Sequence, residues 1–102
     1  MVEPKIKMPS AEIAHFCRRH HIRKLSLFGS VLRDDFRKDS DVDILVEFDP
    51  KYIPGYLSLA GMELELSKVL GGRRVDLNTP QCLSRYYRDQ VLQQAQLQYA
   101  EG

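Results

Sequence analysis

The run Ser40-Asp41-Val42-Asp43-Ile44-Leu45-Val46-Glu47-Phe48 constrains this chain more than any other stretch. Val42, Ile44 and Val46 alternate with Asp43, Leu45 and Glu47, and β-branched residues at every second position suit a strand with one buried face. Side chains at i and i+2 share a face of a strand, so Asp41 and Asp43 project together while Val42 and Ile44 turn to the opposite side. Two carboxylates facing one way at the start of a strand make a candidate cation site. All-oxygen donors suit a hard ion such as Mg²⁺, which takes one or two carboxylates and completes its shell with water and phosphate oxygens.

The flanking segments read as alternating helices and strands. Ser10 can cap a helix from about Ala11 to His20, with Ile13, Phe16 and Cys17 at helical spacing and a basic last turn that suits the dipole. Leu25 and Leu27 alternate with Lys24 and Ser26 up to Gly29, a short strand running into a tight turn, and Val31 to Phe36 adds one or two helical turns. Asp49-Pro50 ends the main strand and Pro54-Gly55 marks a loop. Leu57, Ala60 and Leu64, continuing toward Ser67 and Val69, predict an amphipathic helix that stops at Gly71-Gly72. Arg73 to Asn78 is a third strand, ended by Pro80, with Asp76 between Val75 and Leu77. From about Gln81 to Tyr99 the pattern predicts a helix whose apolar stripe is Leu83, Tyr86, Tyr87, Val91, Leu92 and Ala95. The expected fold class is α/β (α+β): one domain over residues 1–102, with a small mixed sheet of three or more strands flanked by helices.

Charge excludes some functions and localises another. Fifteen Lys and Arg against fourteen Asp and Glu leave a net charge of +1, so direct nucleic-acid binding, which needs a strongly basic footprint, is not expected. The balance is uneven along the chain, because Asp34, Asp35, Asp39, Asp41 and Asp43 all fall within ten positions, where like charges repel unless they are solvated or paired with cations. Tyr52 to Met62, a charge-free stretch as long as any in the chain, is eleven residues, too short for a membrane helix. No secretory signal opens the sequence, and a cytoplasmic location is expected. Cys17 and Cys82 lack Cys-x-x-Cys spacing and are expected as reduced, buried or half-buried thiols. His15, His20 and His21 lack zinc spacing, and the adjacent pair is expected to cap helix carbonyls. The basic run Arg18 to Lys24 reads as a solvated helix end or an RNA contact, Tyr86 and Tyr87 as packing or interface residues, and Gln93 to Gln98 as a partner contact.

Gly29-Ser30 completes the candidate chemistry. A glycine at a strand end lets a phosphate chain approach the backbone, and Ser30 adds a hydroxyl and N–H donors at the start of the next turn. Neither a Walker loop nor a Gly-x-Gly-x-x-Gly fingerprint occurs. The residues Leu27-Phe28-Gly29-Ser30, then Arg33, then Ser40-Asp41-Val42-Asp43-Ile44-Leu45-Val46 resemble the signature of the polymerase-beta-like nucleotidyltransferases in their shortest form, the minimal nucleotidyltransferase (MNT) domain. The resemblance runs over nearly the whole chain. Asp76 is matched by its setting, on the strand where the family places a third carboxylate, and Asp34 departs from the glycine that many relatives carry after the arginine.

The resemblance implies nucleotidyl transfer from ATP, with two Mg²⁺ ions held by Asp41, Asp43 and Asp76. Gly29 and Ser30 would hold the β- and γ-phosphates, Asp76 would serve the acceptor hydroxyl, and Arg33 would pair with the triphosphate or with a nearby Asp. The 102 residues leave no room for a separate acceptor-gripping domain, so the acceptor is expected to be brought from outside. For the minimal domain the resemblance implies an antitoxin that adds AMP to a tyrosine of a HEPN-domain ribonuclease toxin. Two other readings stay open: neutralisation of the toxin by binding with little or no catalysis, and transfer to a small molecule. A homo-oligomer and a hetero-complex are both compatible with the sequence.

Overall fold

A computed structural model describes residue 6 and residues 8–32, 36–37 and 40–101. Helix α1 (Ser10–Arg19) leads into strand β1 (Ile22–Phe28), a 3-10 turn (Gly29–Leu32) and strand β2 (Val42–Phe48). A second 3-10 turn (Pro50–Tyr52) precedes helix α2 (Tyr56–Val69) and strand β3 (Val75–Asn78). A third (Pro80–Cys82) precedes helix α3 (Arg88–Gln94) and strand β4 (Gln96–Ala100). The sheet order is β3-β2-β1-β4, with β1 antiparallel to β2 and β4, and β2 parallel to β3. A parallel pair needs a crossover connection, and α2 is that crossover.

The core lies between one face of the sheet and the two long helices. Ile13, Phe16 and Cys17 of α1 meet Leu25 and Leu27 of β1, Val42, Ile44 and Val46 of β2, and Met62 and Leu66 of α2. Burying each Leu or Ile side chain contributes about 1.5–3 kcal/mol, which fixes β2 with Val42 and Ile44 inward and its carboxylates outward. Leu45 and Leu83 are buried outside that cluster, where the turn after β3 folds against the other face of β2. Helix α2 closes on a Schellman turn: Gly72 N–H donates to the Ser67 carbonyl at 2.8 Å and Gly71 N–H to that of Lys68 at 3.3 Å. Among the described residues, no helix is long and apolar enough to cross a membrane.

Several expectations need correction. Helix α1 begins at Ser10 itself, because Pro9, with φ −70° and extended ψ, occupies the cap, and no side chain caps it. The 3-10 turn Gly29–Leu32 begins two residues ahead of the helical turns expected from Val31 to Phe36 and includes Val31 and Leu32; residues 33–35 of that span lie outside the described residues. The stripe expected for α2 packs only at its far end: Leu57 and Leu64 are 91% and 70% exposed, Val69 is half-buried against the core, and the remaining packing comes from buried Met62 and Leu66 and half-buried Leu59. The helix carries apolar residues on both sides, so periodicity alone does not choose the packed face.

The largest correction is at the chain's end. Only Arg88–Gln94 of the expected long helix is helical, Tyr86 and Tyr87 are exposed, and Gln96–Ala100 forms a strand against β1. Without β4, the N–H and C=O groups along the outer edge of β1 would be unpaired, and satisfying that edge outweighs the helical propensity of Gln and Ala. Glu101 N–H extends the pairing to the Arg23 carbonyl at 2.8 Å. Cys17 is buried as expected, whereas Cys82 is exposed, and both thiols are free. The histidines make side-chain contacts in place of carbonyl caps: His20 reaches Glu65 at 3.2 Å, and His21 stacks on Tyr52 at 3.8 Å between centroids.

Candidate active site

The site forms where β1 ends and β2 and β3 begin. Phe28, the last residue of β1, is the register partner of Asp43, so Gly29 leaves the sheet directly beside that carboxylate. Gly29 has φ +76°, and a Cβ at this position would lie 2.3 Å from Asp43 Oδ2. Both the left-handed backbone and the space therefore require glycine. Ser30 follows, half-buried, in the 3-10 turn, which buried Val31 pins to the core. Ahead of Asp41, Ser40 and Arg37 hold each other: Ser40 N–H donates to the Arg37 carbonyl at 3.1 Å, and Arg37 N–H donates to Ser40 Oγ at 3.0 Å.

Asp76 comes to the same place through strand pairing. The β2–β3 register sets Val42 opposite Val75 and Asp43 opposite Asp76, and the Val42 N–H to Arg74 carbonyl bond of 2.8 Å locks it. Val75 and Leu77 pack on the core, so alternation turns Asp76 to the outer face with Asp43, on a neighbouring strand about 4.8 Å away. Arg74, a candidate partner for Asp76, instead brings its Nε within 3.8 Å of Asp41 Oδ1. Arg33, and with it Asp34, Asp35 and Asp39, lies outside the described residues. Sequence reasoning missed Glu63, whose Oε2 accepts the Leu77 N–H at 2.7 Å; no local pattern marks a helical Glu as the partner of a later strand.

Asp41, Asp43 and Asp76 offer only carboxylate oxygens, the donor chemistry of a hard divalent ion, beside a glycine whose missing side chain leaves room for the Asp43 carboxylate. That donor set fits Mg²⁺. Among the described residues, no three His, Cys, Asp or Glu side chains are drawn into a metal-holding cluster. Backbone register, not side-chain closure, is what juxtaposes Asp43 and Asp76.

Comparisons with known proteins bear on the family and the fold. The profile of the nucleotidyltransferase domain family matches residues 11–97. A relative from Methanocaldococcus jannaschii, named as a protein adenylyltransferase, is 35% identical over 77 residues, spanning 76% of this chain and 80% of its own. A toxin-antitoxin crystal structure with AMP-PNP aligns at TM-score 0.74 and 21% identity, covering 92% of this chain and 75% of that one. A structure of the tri-AMPylated HEPN toxin of Shewanella oneidensis in complex with an MNT antitoxin aligns at TM-score 0.66 and 21% identity, covering 90% and 70%. At such identities, the likeness to the two structures is one of fold.

The family match and the named relatives define an enzyme of nucleotidyl transfer. The chain belongs to the nucleotidyltransferase domain family.

Proposed function

We propose that this chain is the antitoxin of a toxin–antitoxin pair and transfers AMP from ATP to a tyrosine hydroxyl of a HEPN-domain toxin, with Mg²⁺. The observation that carries the reading is the register pairing of Asp43 with Asp76, with the Asp43 carboxylate seated against Gly29. The relative named as a protein adenylyltransferase supports AMP as the transferred group. The structures with AMP-PNP and with an AMPylated HEPN toxin support the donor and the acceptor.

In this reaction the tyrosine oxygen bonds to the α-phosphorus, the bond from that phosphorus to the bridging oxygen breaks, and pyrophosphate leaves. Asp41, Asp43 and Asp76 would hold Mg²⁺, which when bound supplies positive charge against the triphosphate and the departing pyrophosphate. Gly29 lets the polyphosphate tail reach the backbone, and Ser30 donates its hydroxyl to a phosphate oxygen. Arg33 would pair with the triphosphate or with a nearby Asp. Asp76, exposed at the edge of the site, takes the tyrosine proton.

The test combines the purified chain, its HEPN partner, Mg²⁺ and labelled ATP. Label is expected on a tyrosine of the partner, and Asp41→Ala or Asp43→Ala is expected to abolish it. Unchanged labelling in those variants overturns the catalytic reading. The Asp41→Ala variant also separates catalysis from occlusion, because a toxin silenced by binding alone stays silenced.

A further inference from the structure

We propose that Glu63 and Ser67 are positioning residues that strap the edge strand β3 to helix α2 and so hold Asp76 at the site. The inference rests on the reading of Asp76 as a metal-holding carboxylate. Strand β3 is four residues long and lies at the edge of the sheet. Its inner side is tied to β2 through the Arg74 carbonyl. Among the described residues no strand lies on its outer side, and a short unpartnered edge frays readily.

Two side chains of α2 occupy that outer side. Glu63 Oε2 accepts the Leu77 N–H at 2.7 Å, and Ser67 Oγ donates to the Arg73 carbonyl. Glu63 and Ser67 are four residues apart and share one helix face, with buried Leu66 anchoring the same stretch to the core. Their two bonds bracket Asp76, one on the residue after it and one three residues before. A hydrogen bond to an ionised carboxylate is roughly twice as strong as a neutral one, so Glu63 replaces the missing neighbouring strand at the position that most directly controls Asp76. Groups that orient metal-holding residues typically change metal affinity or activity by about 10–100-fold when removed.

The experiment compares Glu63→Leu, which removes the acceptor, with Glu63→Gln, which keeps an acceptor oxygen. Amide hydrogen exchange at Leu77 is expected to accelerate at least about tenfold in Glu63→Leu and to stay near the unaltered rate in Glu63→Gln. In the same variants, half-saturating Mg²⁺ for AMP transfer is expected to rise about tenfold and kcat to fall about tenfold in Glu63→Leu, with KM for ATP unchanged and Glu63→Gln restoring both. Ser67→Ala tests the second bond and is expected to move the same quantities in the same direction. Unchanged exchange at Leu77 in Glu63→Leu overturns the strap. Faster exchange with unaltered Mg²⁺ dependence overturns its role in holding Asp76. Absence of transfer by the unaltered protein is a separate failure, that of the site reading itself, and the exchange measurement distinguishes the two.

Discussion

Replacing Gly29 by alanine is expected to damage this protein in two separable ways. The residue sits at φ +76°, a conformation that costs an L side chain about 1–2 kcal/mol. At roughly 4–8 °C per kcal/mol for a domain near this size, the melting temperature is expected to fall by about 5–15 °C. The added methyl would also lie 2.3 Å from Asp43 Oδ2, where ordinary contact begins at 3.4 Å, so the carboxylate must retreat by about 1 Å. A misplacement of about 1 Å in a reacting constellation can cost about 10²-fold, and a loss of that order in AMP transfer is expected. Gly71→Ala is the control: Gly71 has φ +77°, with nothing within 4 Å of a Cβ. It is expected to lose similar stability while retaining transfer when assayed well below its melting temperature. Transfer by Gly29→Ala within about threefold of the unaltered protein, or an equal loss in Gly71→Ala, would refute the argument that Gly29 acts by making room for Asp43.

Three further outcomes are expected. Leu66→Ala removes a fully buried side chain between α2 and the sheet and should cost about 2–5 kcal/mol in urea unfolding. Burial pushes the Cys17 thiol up to about 12 against a smaller lowering by Arg18; iodoacetamide should therefore label exposed Cys82 and spare Cys17 in the folded protein, with mass spectrometry as the readout. The unfolded chain ionises Cys17 first, so its contribution is present below the ordinary thiol pKa and is lost as pH rises toward 12. Burial, aided by Arg19 and His21, lowers the His20 pKa below 6.5, so the unfolded chain takes up that proton first. Stability from this residue is present above pH 6.5 and lost as pH falls; thermal melts at about pH 7.5 and 5.5 should show a smaller difference in His20→Asn than in the unaltered protein.

Where side-chain alternation and local chemistry agreed, the sequence was readable. The β2 run placed Val42, Ile44 and Val46 inward and its carboxylates outward, and Asp76 between two core residues carried the same information for β3. Elsewhere the local signal was ambiguous or absent. Leu57 and Leu64 imitate a packed stripe on a helix that packs through Met62 and Leu66, and a Gln-rich tail becomes a strand because β1 offers it an edge.

By itself, then, the sequence determined which residues carry the carboxylates and the glycine–serine pair of the proposed divalent-ion and phosphate site, and which face of each short strand bears them, because strand alternation is a local property of the backbone. Only the tertiary structure decided that Asp43 stands opposite Asp76, that Gly29 yields its side-chain volume to Asp43, and that Glu63 of a helix completes the edge of β3. Those relations depend on register and packing between segments distant along the chain, where the energies of burial and of unpaired backbone groups select one arrangement from many that local pattern allows.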